Sequence, residues 1–345
     1  MIASLRRLSL PALAVATLVG CEKADVTVYV ALDQEHSEAF VKQFEQETGL
    51  TVKPRFDIEQ NKTVALTSAL LEERDRPRAD VFWNNELAQT VRLGQKGVLA
   101  AYESPNAADI PARFKDAEHL WTGFASRARV LIVNTEKLGE DPAGWPKSMW
   151  DLTDPKWKGR CAVARPLTGT TLTHFTALAT VLGEERFTEW MDGLEKNEVK
   201  FLQSNGATMK QTADSSNDVD FAFTDTDDFH VALTKGLPVA CVFPDQGDGE
   251  IGTMLIPNSV AIVKGGPNPE NAKKLVDFIL SKSTEAALAA AKSAQIPVRA
   301  DVQGPKSEWI QKIGSFREMT WDPKVVAENL EPWTDRFAQR YQSAN

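Results

Sequence analysis

"DVTVYVALDQEHSEAFVKQFEQETGLTVKPRF", residues 25–56, carries two periodicities in succession. Its opening "DVTVYVA" alternates polar and apolar positions as a strand does. The stretch from Glu35 then places Phe40, Val41 and Phe44 at helical spacing and stops at Gly49, a residue suited to ending a helix. "LTVKPRF" follows as a second strand. Asn61 stands where it can cap the helix "KTVALTSALLEERD", whose Val64, Leu66, Leu70 and Leu71 supply an apolar stripe. "ADVFW", residues 79–83, is a third strand. Strand, helix, strand, helix, strand specifies a parallel α/β lobe. In such sheets ligands sit at the carboxyl ends of the strands, beside the helix N-termini.

"RARVLIVNT", residues 127–135, is an extended apolar run long enough to leave one lobe and enter another. After it the alternation returns: "CAVA", the helices "TTLTHFTALATVLG" and "EERFTEWMDGLEK", "VKFL", a helix from about Asn205, "VDFAF", a helix from Asp227, and "VACVFP". "NSVAIVKGG", residues 258–266, is a second long strand and the candidate return crossing. Two surface helices, "PENAKKLVDFILSK" and "STEAALAAAKSA", and a last helix from about Lys324 to Tyr341 complete the chain. The expected architecture is α/β and two-lobed, with two extended hinge strands and a ligand cleft between the lobes. Residues 21–130 with 262–320 form lobe 1, residues 131–261 form lobe 2, and 321–345 are a C-terminal helical segment.

The 345 residues, 42% of them hydrophobic, suffice for a core in each lobe. The formal net charge of −9, with no basic block, excludes a protein that follows a nucleic-acid backbone. "MIASLRRLSLPALAVATLVGC" has a basic start, a short apolar run and small residues before Cys21, the layout of an export signal. Its Leu-Val-Gly-Cys ending resembles a bacterial lipobox, so residues 1–20 read as a lipoprotein signal peptide and Cys21 as the lipid-bearing first residue of the mature chain. Localisation is then outside the cytoplasm, periplasmic or at the cell surface, with the membrane reached only through the lipid. Cys161 and Cys241 both lie in strand-like surroundings; a disulfide and two buried thiols stay equally open.

Enzyme motifs are weak. "GDGEIG", residues 247–252, leads into a strand, so it offers no helix N-terminus to a pyrophosphate. "DTDD" at 225–228 has Phe229 where the phosphotransfer pattern needs Thr or Val. His36, His119, His174 and His230 lack metal-ligand spacing and read as surface or half-buried residues.

"RARVLIVNTEKL", "WDLTDPKWKGR", "GPNPENAKKLVDFILS", "VTVYVALDQEHSEAFVKQFEQETGLTV" and "ADVFWNNE" together resemble the ferric-iron-binding subfamily of periplasmic solute-binding proteins of ABC importers. The resemblance covers nearly the whole mature chain. It implies a two-lobed fold that closes on its ligand like a hinge, a permease as partner, a monomer, and no enzymatic activity or obligatory cofactor. The family's paired tyrosines fall on Asp227 and Asp228, its histidine on Asp33, and its glutamate on Asn85, with Glu86 one residue later. Tyr29, Tyr102 and Tyr341 are the only tyrosines, and none matches a ligand position. Coordination of iron by phenolate is thereby excluded.

An acidic set remains: Asp33, Glu86, Asp225, Asp227 and Asp228. Carboxylate oxygens suit a hard cation or an ammonium group, and crowded like charges call for something positive in the site. For a cation the metal ligands would be Asp33, Glu86, Asp227 and Asp228. The same residues also suit the first turn of a helix, where Asp caps and complements the dipole. "RPLTGTTLTHF" places Thr168, Gly169, Thr170 and Thr171 at a helix N-terminus able to hold an oxyanion, or simply capped by Thr. By resemblance this position and Asn205 hold the anion that accompanies the metal. Lys62 and Trp83 are further candidates for the cleft wall. The expected function is reception of a small polar ligand, a metal cation such as ferric iron with a co-bound anion, which is cargo rather than cofactor. Alternatives are a zwitterion or phosphorylated organic molecule, such as an aminophosphonate or sugar phosphate, and a metal-assisted phosphoesterase.

Overall fold

The computed structural model describes residues 24–341 except Asp33, residues 58–63 and residues 303–313. Cys21, Asp33, Asn61 and Lys62 therefore lie outside the described residues. Lobe 1 begins with β1 (Val26–Val30), α1 (Gln34–Thr48), β2 (Val52–Phe56), α2 (Val64–Glu72), β3 (Val81–Asn84), α3 (Ala88–Gln95) and β4 (Leu99–Ala100). β5 (Thr122–Asn134) leads into lobe 2, which holds α4 (Thr135–Leu138), β6 (Cys161–Ala164), α5 (Gly169–Leu182), α6 (Glu184–Lys196), β7 (Lys200–Leu202), α7 (Asn205–Ala213), β8 (Phe221–Asp225), α8 (Thr226–Thr234) and β9 (Val239–Val242). β10 (Leu255–Val263), α9 (Pro269–Ile279) and α10 (Lys282–Ala290) return to lobe 1, and α11 (Pro323–Tyr341) closes the described chain.

The strands of lobe 1 lie in the order β2-β1-β3-β10-β5, with β4 against the end of β10. β1 runs parallel to β2 and β3, while β10 is antiparallel to β3 and β5. In lobe 2 the order is β9-β5-β8-β6-β7. β5 thus serves both sheets: up to Ala128 it pairs with β10, and from Arg129 with β8 and β9. All thirteen of its residues are buried, the burial expected of a strand covered on both faces. The two largest core clusters of the described residues lie around Phe44, Trp83 and Phe124 and around Phe175, Phe187 and Trp190, with smaller ones around Phe82 and Leu87 and around Ile132 and Phe229.

The crossings differ in detail from the expectation. The apolar run at 127–135 is the second part of a strand that starts at Thr122. β10 pairs with the shared strand β5 from Leu255 and with β3 from Ser259, and its Ile256 packs in the cluster of Phe175 and Trp190, so the return crossing lies at the start of β10, ahead of 258–266. The "GDGEIG" stretch belongs to that return. Gly252 has φ +83°, and a Cβ there would stand 2.8 Å from the Arg317 carbonyl oxygen, so glycine permits the backbone contact.

Both cysteines are free thiols. Cys161 is on β6 and Cys241 on β9, three strand spacings apart, roughly 14 Å and well beyond disulfide reach. Burial pushes the Cys161 thiol up to about 12. Trp83 is core, edge-on to Phe40 at 6.3 Å, and does not wall the cleft.

Candidate functional site

A cavity of about 420 Å³ lies between the lobes, with Leu32, Gln34, His36 and Asn85 on the lobe 1 side. Opposite them stand the N-termini of α5 and α7 and the start of α8. Of the candidates read from sequence, Asn85, Thr168, Gly169, Thr170, Asn205, Asp225, Asp227 and Asp228 line it, as does Thr171. None of Tyr29, Tyr102 or Tyr341 does.

The carboxylates of Asp225, Asp227 and Asp228 each bring an oxygen within 4.8 Å of the others. They are not equivalent. β5 and β8 pair with Arg129 directly opposite Asp225, which places both side chains on one face of the sheet. The fully buried Arg129 guanidinium donates to Asp225 Oδ1 at 2.7 Å. Asp225 Oδ2 accepts from Thr170 Oγ1 at 2.6 Å and from Asn205 Nδ2 at 2.9 Å. Two residues along β5, and so on the same face, Arg127 Nε lies 3.5 Å from Asp227 Oδ2. Its other nitrogens donate to the Asn85 carbonyl at 2.9 Å and to Asn258 Oδ1 at 3.1 Å.

The positive partner that the acidic run demands is therefore supplied by the chain itself, at least for Asp225 and Asp227. Sequence reasoning missed it, although two arginines two residues apart in a run as apolar as "RARVLIV" were the signal: buried charges require partners. Asp227 and Asp228 are half-buried at the cavity wall, whereas Asp225 is committed to Arg129. Thr224 Oγ1 donates to Asp228 Oδ2 at 2.9 Å. His174, expected at the surface or half-buried, is fully buried and accepts from Arg129 Nε through Nδ1 at 3.3 Å. Burial, then the adjacent guanidinium, holds its pKa well below the ordinary 6.5, so the ring is neutral.

Glu86 does not line the cavity. It is 1% exposed, and its oxygens accept from Asn84 Nδ2 at 2.9 Å, the N–H groups of Ala88 and Gln89 at 2.6 and 3.0 Å, and Thr173 Oγ1 at 2.8 Å. Standing one residue before the N-cap Leu87, it satisfies the first N–H groups of α3 and ties that helix to α5 across the lobes, and its burial raises its pKa. Turned into the protein and surrounded by donors, it is unavailable as a cleft metal ligand in this conformation.

The anion side is narrower than its side chains suggested. Thr170 and Asn205 are spent on Asp225, and Thr171 Oγ1 donates to Asn205 Oδ1 at 3.0 Å. What remains is the start of the 14-residue α5, with no side-chain cap, and of α7, where Ser204 Oγ accepts only from the Ala207 N–H. Gly169 starts α5 at φ +58°, a conformation a side chain would strain. Arg165, Lys210 and Lys235 also line the cavity, and nothing in their spacing marked them beforehand.

Residues 39–317 match the family model described as bacterial extracellular solute-binding protein. The chain belongs to that family. It is 26% identical over 324 residues to the iron uptake protein A1 of Synechocystis, covering 91% of this chain and 86% of the relative. It is 27% identical over 286 residues to the major ferric iron-binding protein of Neisseria meningitidis, 81% and 82% of the two chains. The crystal structure of iron-bound HitA from Pseudomonas aeruginosa superposes with a TM-score of 0.79 at 26% identity, covering 90% of this chain and 98% of the other. The fold is that of a two-lobed, type II periplasmic binding protein, and the chain is a ligand-binding receptor of an ABC uptake system. Among the described residues no helix is long and apolar enough to cross a membrane.

Proposed function

We propose that the receptor's cargo is a hard metal cation of the ferric type, held together with an oxyanion. The observation that carries this reading is the trio of carboxylate oxygens, within 4.8 Å of one another, standing beside the N-termini of α5 and α7 on the lobe 2 wall of one cavity. Asp227 and Asp228 would coordinate, with Asp225 behind them locked to Arg129 and Asn85 on the opposite wall. Two carboxylates leave a hard cation short of oxygens, and an anion seated on α5 and α7 would complete its shell. That the named relatives are iron proteins supports the metal. The phenolate coordination that the family resemblance implies does not carry over, because no tyrosine lines this cavity. Closure follows if the ligand binds the closed form more tightly than the open one.

Arg165, Lys210 and Lys235 favour a second reading, an organic phosphate or aminophosphonate with its acid group on the cationic wall and its amine on Asp227 and Asp228. Calorimetry on the chelator-stripped chain separates the two. Binding of ferric citrate or of iron with phosphate, and none of 2-aminoethylphosphonate or fructose 6-phosphate without metal, is the expected result; the reverse selectivity would overturn the metal reading. Asp227→Ala with Asp228→Ala should abolish binding with the fold retained. Turnover of a generic phosphoester would revive the phosphoesterase alternative; none is expected.

The remaining assignments belong to the same reading. Cys21 is the lipid-bearing residue after a signal peptide of residues 1–20, and the mature chain is a monomer whose partner is the importer's permease. Lobe 1 is assigned the described residues of 24–128 and 255–320 and lobe 2 those between, a division that the change of partner along β5 supports. Mass spectrometry of membrane-extracted protein tests the lipid at Cys21.

A further inference from the structure

The C-terminal helix α11 packs on α3 of lobe 1 and on α5 of lobe 2. The polar contacts of its first half are with lobe 1, while Val326 and Leu330 of that half join the core cluster of Phe175 and Trp190. Lys324 Nζ lies 3.8 Å from Asp116, Gln95 donates to the Lys324 carbonyl at 3.4 Å, Glu331 accepts from Arg92 at 2.9 Å, and Ala327 joins the core cluster of Leu87 and Val91. Its second half is fixed to lobe 2. Trp333 stands edge-on to Phe187 at 5.0 Å, Phe337 meets Phe175 at 6.0 Å, Tyr341 stacks on Phe201 at 4.3 Å, and Arg336 pairs with Glu184 at 2.7 Å.

Pro332 lies inside the helix, between its polar contacts with lobe 1 and its aromatic contacts with lobe 2. Proline has no N–H to give the carbonyl four residues back, here Glu328, and its ring crowds that carbonyl. The hydrogen-bond ladder is therefore interrupted where the helix passes from one lobe to the other, and sharp helix bends concentrate at such residues. A 19-residue helix is about 28 Å long. Fastened at both ends, it must bend or shed one set of contacts whenever the lobes rotate apart. The second half is held by buried aromatic rings and the first by buried Val326, Ala327 and Leu330, its ion pairs adding little, so flexing at the missing bond disturbs fewer buried contacts than detaching either half.

We propose that α11 is a third connection between the lobes, beside β5 and the return into β10, and that Pro332 is its bending point and so sets how far the cleft opens. The reading goes beyond the choice of ligand and is independent of it. Pro332→Ala restores the missing donor, and the stiffened helix should narrow the range of lobe orientations. Pulsed electron paramagnetic resonance between spin labels at Glu47→Cys on α1 and Lys196→Cys on α6, with Cys161 and Cys241 changed to Ala, measures that range without ligand. The distance distribution should be narrower in Pro332→Ala than in its parent, and amides at 330–334 should exchange several-fold more slowly. An unchanged distribution, with or without a change in melting temperature, overturns the proposal, because a merely structural role alters stability alone. Should Pro332→Ala not fold, Arg336→Ala with Arg340→Ala loosens the lobe 2 half and must broaden the distribution; if it does not, the strap is refuted.

Discussion

Asp225→Ala and Asp227→Ala should have opposite signatures, although the two residues are neighbours in one acidic run. Removing Asp225 strands the guanidinium of Arg129, which is fully buried and loses its 2.7 Å partner. Breaking a buried pair from one side costs about 3–5 kcal/mol, because the remaining charge is left uncompensated in low dielectric. Thr170 and Asn205 lose their shared acceptor at the same time. In a two-lobed chain this corresponds to a melting point lower by roughly 10 °C. Asp227 is 21% exposed at its side chain, its contact with Arg127 is longer at 3.5 Å, and Arg127 keeps two other acceptors. Its loss should cost less than that of Asp225, about 1–3 kcal/mol, because the contact is long and Arg127, although buried, keeps those acceptors, while a ligand-facing oxygen is removed. Urea denaturation followed by tryptophan fluorescence, with calorimetric titration of ferric citrate on the folded variants, reads both quantities. Equal stability of Asp225→Ala and the parent, or equal destabilisation by the two substitutions, would refute the division of the aspartates into a structural and a ligand-facing role.

Asp245 offers a pH test away from the cleft. Burial pushes its carboxyl from 3.8 up to about 6, so the stability it contributes is full below about pH 4 and is lost as pH rises through 6. Oδ1 takes both of its donors, Ser148 Oγ and Met149 N–H, and φ is +60°, so Asn fits in its place; Asp245→Asn should gain up to about 3 kcal/mol at pH 7.5 and nothing at pH 4, by thermal melts across pH. Gly169→Ala forces a side chain into the left-handed region and should cost about 1–2 kcal/mol, with weaker oxyanion binding on α5, measurable by melting and by phosphate titration. Cys161, buried, should resist a thiol reagent in the folded chain, the half-buried Cys241 should react slowly because burial raises its thiol pKa, and both should react in urea without reductant; failure of either to react in urea would contradict their separation.

Much of this molecule is one-dimensional in origin. Alternation at 25–31 and the 3.6-residue stripe of Phe40, Val41 and Phe44 are local signals, and they appear in the structure as β1 and α1 because each element's buried face is written along a few consecutive residues. The order of those elements then selects a two-lobed α/β chain, and the acidic run after "VDFAF" was legible at the end of a buried strand for the same reason. Which of its carboxylates face the cleft was not legible. Arg129 and Asp225 are 96 residues apart, and only the antiparallel register of β5 on β8 sets them opposite each other. Glu86 looked equivalent to the aspartates until α3 and Thr173 of α5 enclosed it with donors. The division of labour within the cluster, and the bridging of both lobes by α11, depend on pairings between distant segments, which periodicity cannot encode because it describes one element at a time.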